Sequence, residues 1–428
     1  MTRPSTSGKT PELAGAGSGQ LYRLFWRWHF YAALLVIPFV LWQSVTGTLY
    51  LWSGRWMDWQ HAELRFVAPA AKTVPVSDRV RAALATPPQA AVLEILVPEQ
   101  STRTTTVLLE TESGLPQPVF VDPGNAQVLG QLSTSDWLPG ITRALHGGWP
   151  LGESGSWLLE LGDSWAIVMI ATGLYLWWPR KIGVLRALWP RVDAGARVFW
   201  RDLHACVAAW FALLILCFLV TALPWTAFWG GQLLAPVQSR LNQDNPAGFN
   251  PGGVTASELS NVLPALDTTV AHARAQGVVG TLQIRLSPEA GSDWWIHNTD
   301  CAPGQDRYLL ARRSDGTITL DVPEHRNPFM VRLIDAGVHL HQGDFGAINR
   351  WGNTLVAATL IWMSVTGLCS WWMRRPRGAP IAPPRSTTTW PNALAIIIVA
   401  MSLMLPLLGA SVLLLMGVDA GRRWIVRG

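Results

Sequence analysis

Five stretches of this chain, at about 29–52, 157–178, 204–229, 350–373 and 392–417, stay apolar for lengths that reach or pass the ~20 residues a helix needs to cross a bilayer core. Nothing else in the sequence restricts the fold as strongly. A segment in lipid has no water to satisfy its backbone, so it must close its hydrogen bonds internally as a helix. The composition agrees. Of 428 residues, 49% are hydrophobic and 14% charged, where a soluble domain carries about 25% charged. The 25 tryptophans suit the interfaces of a bilayer. The expected fold class is an α-helical integral membrane protein with about five transmembrane helices. The second stretch is the least clean, with Glu160 and Asp163 in its first turns. The first is too long, and lacks the small-residue cleavage site, to be a removable signal.

Lysine and arginine set the orientation. Arg23 and Arg27 precede the first span. Arg180, Lys181, Arg186, Arg191, Arg197 and Arg201 fill the short loop before the third, and Arg374, Arg375, Arg377 and Arg385 lie between the fourth and fifth. These regions are expected in the cytoplasm, as is the N-terminus. The long loops, 53–156 and 230–349, then face the periplasm or the cell exterior. Five spans place the C-terminus outside, which Arg422, Arg423 and Arg427 oppose. The expected division is a disordered N-terminus at 1–19, spans at 20–52, 157–180, 204–229 and 350–375, cytoplasmic loops at 181–203 and 376–391, and a fifth span with its tail at 392–428.

The two exported loops carry the same order of elements. In the first, 76–84 suits a helix and 92–97, 104–109 and 118–121 read as strands. Asp122-Pro123-Gly124-Asn125 then makes a turn into 127–129. In the second, 256–275 suits a helix and 280–286, 294–297 and 308–311 read as strands. Ser314-Asp315-Gly316 turns into 317–320. The chain is therefore expected to be a two-fold internal repeat with two small α+β exported domains. Each half holds two spans, so the halves share one orientation about an axis along the membrane normal.

Four histidines occupy matching places in that repeat. His29, in Phe25-Trp26-Arg27-Trp28-His29, matches His204, in Phe199-Trp200-Arg201-Asp202-Leu203-His204. His146, in Leu145-His146-Gly147-Gly148, matches His341, in Leu340-His341-Gln342-Gly343. The first pair is expected near the cytoplasmic face and the second near the exported face. Ionisable residues at membrane depth are expensive and usually functional. Neutral imidazole is a good axial ligand for iron, and two of them saturate it, which favours electron transfer over oxygen binding. The reading is two haem b groups, held by His29 with His204 and by His146 with His341. Gly147, Gly148 and Gly343 leave room for the macrocycle. Arg27, Arg201, Arg143 and Arg332 are placed to meet propionates, with topogenic charge the plain alternative for Arg27 and Arg201. His339 alternates with His341 as a possible outer ligand, a supporting group or a substrate contact.

The same stretches resemble the PepSY-associated transmembrane-helix family. The residues that carry the likeness are Arg27-Trp28-His29, Thr46-Gly47, His146-Gly147-Gly148, Thr172-Gly173-Leu174-Tyr175-Leu176-Trp177-Trp178-Pro179-Arg180, His341-Gln342-Gly343-Asp344-Phe345-Gly346 and Thr366-Gly367-Leu368, over about 20–375. The likeness is weaker beyond 376. Val220-Thr221-Ala222 departs from the family's glycine, a change read as one of helix packing. Members include siderophore-iron reductases with two b-type haems. The resemblance implies PepSY-like exported domains and a membrane ferric reductase that passes electrons to a periplasmic ferric-siderophore, releasing Fe(II). The alternatives are a haem oxidoreductase with another acceptor, and a membrane-anchored binding or regulatory module without redox chemistry.

Other classes are poorly supported. No GxGxxG follows a strand, so a separate cytoplasmic or quinol electron donor is needed. No basic, aromatic-interleaved patch suggests nucleic acid. Cys206, Cys217 and Cys369 fall in spans and Cys301 stands alone in a loop, which excludes a disulfide framework and CxxCH haem attachment. His61, His272, His297 and His325 default to solvated surface. Glu160 and Asp163 are read as helix N-terminal charge, with proton uptake or chelate contact as the functional option. Trp137 and Trp149 are candidates to line an outer aromatic cleft.

Overall fold

The computed structural model describes residues 13–85, 91–110, 116–180, 182–245, 254–260, 262–286, 293–302, 304–374, 382–384 and 391–427. Residues 1–12 of the expected disordered N-terminus, and Lys181, Arg375, Arg377 and Arg385, lie outside them, whereas residues 13–19, also expected to be disordered, are helical. In chain order the elements are α1 (Leu13–Gln60), α2 (Ala62–Arg65), α3 (Val76–Leu84), β1 (Ala91–Val97), β2 (Thr105–Glu110), β3 (Pro116–Val121), β4 (Val128–Gln131), α4 (Leu138–His146), α5 (Gly152–Trp177), α6 (Val184–Ala187), α7 (Ala196–Ala222), α8 (Ala235–Arg240), β5 (Val254–Thr255), α9 (Ala256–Ser260), α10 (Leu263–Ala275), β6 (Thr281–Arg285), β7 (Trp294–Thr299), β8 (Arg307–Ala311), β9 (Ile318–Pro323), α11 (Phe329–Gln342), α12 (Ala347–Arg374), α13 (Asn392–Met404) and α14 (Pro406–Arg427). They form two compact units. One holds Met1–Val45, Leu151–Gly230 and Leu355–Gly428, and the other Thr46–Pro150 and Gly231–Thr354.

Four helical stretches are long and apolar enough to cross a membrane, at Gly19–Gln60, Gly152–Trp177, Ala196–Trp225 and Ala347–Arg374. The chain is a helical membrane protein. In the helical unit, Val36 and Val40 of α1, Ala166 of α5, Ile215 and Leu219 of α7 and Val356 of α12 bury together. Gly162 of α5 lets α1 close in, because a Cβ there would come within 2.9 Å of the Phe39 side chain. Leu34, Leu213 and Leu214 stay exposed, the face lipid would cover.

The expected fifth span, 392–417, is not among the four. Pro406 has no amide proton and disfavours helix at Leu405, so the run divides into α13 and α14. Leu405 takes φ −126° and ψ 81°. A Cβ on Gly409 would lie 2.9 Å from the Ser402 carbonyl oxygen, so the chain folds sharply here. The break is secured from neighbouring elements. Trp229 Nε1 donates to the Met404 carbonyl (2.9 Å), and Trp165 Nε1 to Ser411 Oγ (3.1 Å).

The second unit is built on a nine-stranded sheet with the order β4-β3-β2-β1-β6-β7-β8-β9, with β5 paired to β1. The strands fall close to their expected places, yet they do not form two separate domains. β1 and β6 pair antiparallel, with Ile95 opposite Ile284 and Glu94 opposite Arg285. The two isoleucines are fully buried, and Arg285 Nε reaches Glu94 Oε2 at 2.9 Å. Kept apart, each half-sheet would leave this apolar strand as an open edge. One core, including Val80, Ile95, Leu266, Ile284, Ile296 and Leu309, packs α3 and α10 against the sheet. Asp267 of α10 accepts from the Ser77 amide (3.0 Å) and hydroxyl (2.5 Å), capping the start of α3.

The helix expected over 256–275 is divided into α9 and α10, with Pro264 in the first turn of α10. Sequence reading also missed α4 and α11, the helices that end at or beside His146 and His341.

Candidate functional site

Three of the four histidines share one local arrangement. His29 Nδ1 of α1 lies 3.1 Å from Thr172 Oγ1 of α5. His204 Nδ1 of α7 lies 3.0 Å from Thr366 Oγ1 of α12. His146 Nδ1, at the end of α4, lies 3.0 Å from Thr46 Oγ1 of α1. In each case the residue after the threonine is a glycine facing the same ring. A Cβ on Gly173 would come within 3.2 Å of His29 Cε1, on Gly367 within 3.4 Å of His204 Cε1, and on Gly47 within 2.9 Å of His146 Cε1. The Thr-Gly dipeptides stood in the sequence only as part of the family likeness, with no role given to them. They touch the histidines. The glycines beside the histidines do other work. Gly343 sits at φ +79° as the left-handed cap of α11, and Gly148 at φ +108°.

The threonines decide which ring nitrogen carries the proton. A hydroxyl has one proton to give. Thr172 donates its proton to the Val168 carbonyl (2.9 Å), and Thr366 donates to Trp362 (2.8 Å). Each hydroxyl therefore accepts from its histidine, and His29 and His204 carry the proton on Nδ1. Nε2 is left with a bare lone pair, the form that binds metal. His29 and His204 are also electrostatic neighbours.

His146 and His341 face each other across 6.4 Å between ring centres, at 50° between planes. Imidazole donors with a hydrogen-only flank at three of the rings are a set that would suit a bis-histidine haem. Among the described residues, no three His, Cys, Asp or Glu side chains gather as a metal site of protein ligands alone.

The profile of the PepSY-associated TM region matches residues 26–374. This protein belongs to the PepSY-associated TM family. No curated protein matches the chain.

In this PepSY-associated protein, His339 has partners other than His146. Its Nε2 lies 3.4 Å from Asp306 Oδ1 and its Nδ1 lies 3.0 Å from Asp344 Oδ2. The bonds to Asp306 and then Asp344, working against burial, push its pKa up to about 10. Burial opposes the charge of Asp306, but His297 and His339 outweigh it and hold this carboxyl well below the usual range. His297 is not solvated surface. Its Nε2 lies 3.4 Å from Asp306 Oδ1 and its ring stacks on Tyr308 at 4.5 Å. Burial also lifts Asp335 to about 6, against the pull of His297 and His339. His61 is mostly covered too, with 17% of its side chain exposed beside Glu63, whereas His272 and His325 are exposed as expected.

The arginines divide. Arg27 donates to the Pro383 carbonyl (2.7 Å) and to Tyr31 (3.3 Å). Arg201 pairs with Asp202 at 2.7 Å, which also receives Arg191 at 2.6 Å. Arg143 and Arg332 are exposed. Glu160 and Asp163 are not first-turn charges, because α5 begins at Gly152 and Glu153 fills that place. Both are buried, and Glu160 Oε2 accepts from the Trp229 amide at 3.0 Å. Trp137 packs in a small core with Met57, Phe120 and Leu132 rather than lining an open cleft. All four cysteines are free thiols.

Proposed function

We propose that this protein is a di-haem b inner-membrane reductase that passes electrons across the membrane to a ferric chelate of the siderophore class, so that iron leaves the chelator as Fe(II). One observation carries the reading. Thr172 and Thr366 each spend their proton on a helix carbonyl and leave His29 and His204 with an unprotonated Nε2. A membrane anchor has no use for two such groups, each costly in a bilayer.

Haem iron at each pair would supply reversible one-electron chemistry. His29 and His204 would hold the first haem, and His146 and His341 the second. Sites near opposite faces would divide a bilayer core of ~30 Å into shorter steps. Thr46, Thr172 and Thr366 orient the ligands, while Gly47, Gly173 and Gly367 keep the ring flanks open. Hard oxygen chelators prefer the ferric ion, so reduction weakens the complex. The donor is a separate cytoplasmic molecule or quinol, and the large loops face the periplasm.

The test is a reduced-minus-oxidised spectrum with pyridine haemochrome quantitation on purified protein. About two b-type haems per chain, followed by Fe(II) release from a ferric hydroxamate in reduced proteoliposomes, is the expected result. A folded protein without haem would overturn the reading and favour a binding or regulatory module.

A further inference from the structure

We propose that a cleft at the arginine-rich end of the helical unit binds a phosphate-bearing aromatic electron donor of the flavin mononucleotide class, beside His29. This inference rests on the electron-transfer reading above and names the donor's site.

The cleft, of about 410 Å³, is lined by Gly19, Tyr22, Arg23 and Trp26 of α1, by Arg180 after α5 and by Pro384. That volume is within the usual range for small-molecule sites, about 300–1,000 Å³. Two features select the ligand. The first is positive charge without a counter-ion. Among the described residues, Arg23, Arg180 and the nearby Arg374 have no carboxylate within ion-pair distance, unlike Arg191 and Arg201, which share Asp202. The second is aromatic surface under those charges. The Arg180 guanidinium lies over Tyr22 (5.1 Å) and Tyr175 (4.9 Å), and that of Arg374 over Trp26 (4.3 Å). Stacking holds a guanidinium flat, and Arg180, which gives one N–H to the Tyr175 carbonyl (3.3 Å), keeps its other N–H groups for a phosphate. A loop segment closes one side, because Arg27 holds the Pro383 carbonyl at 2.7 Å.

Position supplies the link to electron transfer. Tyr22, Trp26 and His29 stand at i, i+4 and i+7, one stripe of α1. Trp26 is thus about one helical turn from the ligand. The other wall also belongs to this ligand, since α5 carries Thr172 and Gly173, which touch His29, and then Tyr175. A dihydroflavin oxidised here loses two electrons and two protons. The electrons pass singly to two one-electron acceptors, and the protons go to water.

The experiment titrates full-length protein in neutral detergent with flavin mononucleotide, followed by flavin fluorescence and by calorimetry. Riboflavin, pyrophosphate and phosphatidylglycerol micelles are parallel arms, and haem content is read on the same samples. One flavin mononucleotide per chain is expected, bound about tenfold tighter than riboflavin, competed by pyrophosphate, and weakened about tenfold in Arg180→Gln, as for one lost charged hydrogen bond. A second variant, Arg23→Gln, guards against a local effect at Arg180. Equal binding of riboflavin, no saturable binding, or displacement by the lipid alone would each overturn the proposal, the last assigning the arginines to a lipid headgroup. Binding is read whether or not haem is present, so a haem-free protein that binds flavin counts against the electron-transfer reading and not against this site.

Discussion

The two histidine pairs are carried by different kinds of helix. His29 and His204 sit within long membrane helices, α1 and α7, and each is held by a threonine from another long helix that is itself bonded back to its own backbone. His146 and His341 sit at the ends of short helices, α4 and α11, in the unit that carries the sheet. His341 has a charged neighbour two residues away in His339, tied to Asp306 and Asp344. The contrast teaches that the same Thr–His contact, which also joins His146 to Thr46 of α1 (3.0 Å), is made both between two long helices and at the end of a short one.

The largest expected effect is loss of one haem and not both. His204→Ala and His341→Ala should each fall from about two haems to about one per chain by pyridine haemochrome. Loss of both in either variant would mean the pairs are not independent. Next, Thr172→Val and Thr366→Val keep the shape and remove the acceptor, so haem affinity at the first pair should drop about 10–100-fold. Unchanged haem retention in a competition with apomyoglobin would remove the tautomer argument.

A smaller difference should distinguish the glycines. Gly47→Ala places a methyl 2.9 Å from His146, against 3.4 Å from His204 for Gly367→Ala. Overpacking costs about 1–3 kcal/mol, so Gly47→Ala should lose haem at the second pair while Gly367→Ala stays near wild type. Equal loss would show that the ring flanks do not set the fit. His339→Ala should leave the haem count at wild type, and a count of one would instead make His339 the ligand.

The smallest effect is on pH dependence. His339, raised from 6.5 to about 10, stabilises the folded state fully below pH 6.5, and that contribution fades as pH rises toward 10. Asp306, held below 3.8, stabilises above that value and loses its contribution as pH falls further. Thermal unfolding of the sheet unit should therefore decline on the alkaline side, and Asp306→Asn should flatten that decline. A variant with the wild-type alkaline slope would show that the network contributes nothing measurable.

Much of this was legible in the sequence. Long apolar runs can only be helices in lipid, and the first four became α1, α5, α7 and α12 with shifted ends. Strand positions in both loops followed from alternation and turn residues. The four histidines stood out because ionisable groups at membrane depth are rare. The run at 392–417 misled because hydropathy does not register that one proline, Pro406, can divide a helix.

Sequence by itself thus determined the membrane class, the four long helices, the approximate strand positions and the choice of candidate histidines, because these depend on local composition and spacing. Tertiary structure alone decided that β1 and β6 join two half-sheets into one, since strand pairing depends on which edges meet. It alone revealed that Thr172 and Thr366 set the histidine tautomers and that Asp306 engages His339. Hydrogen bonds between residues 33 to 162 positions apart leave no periodic trace in a chain.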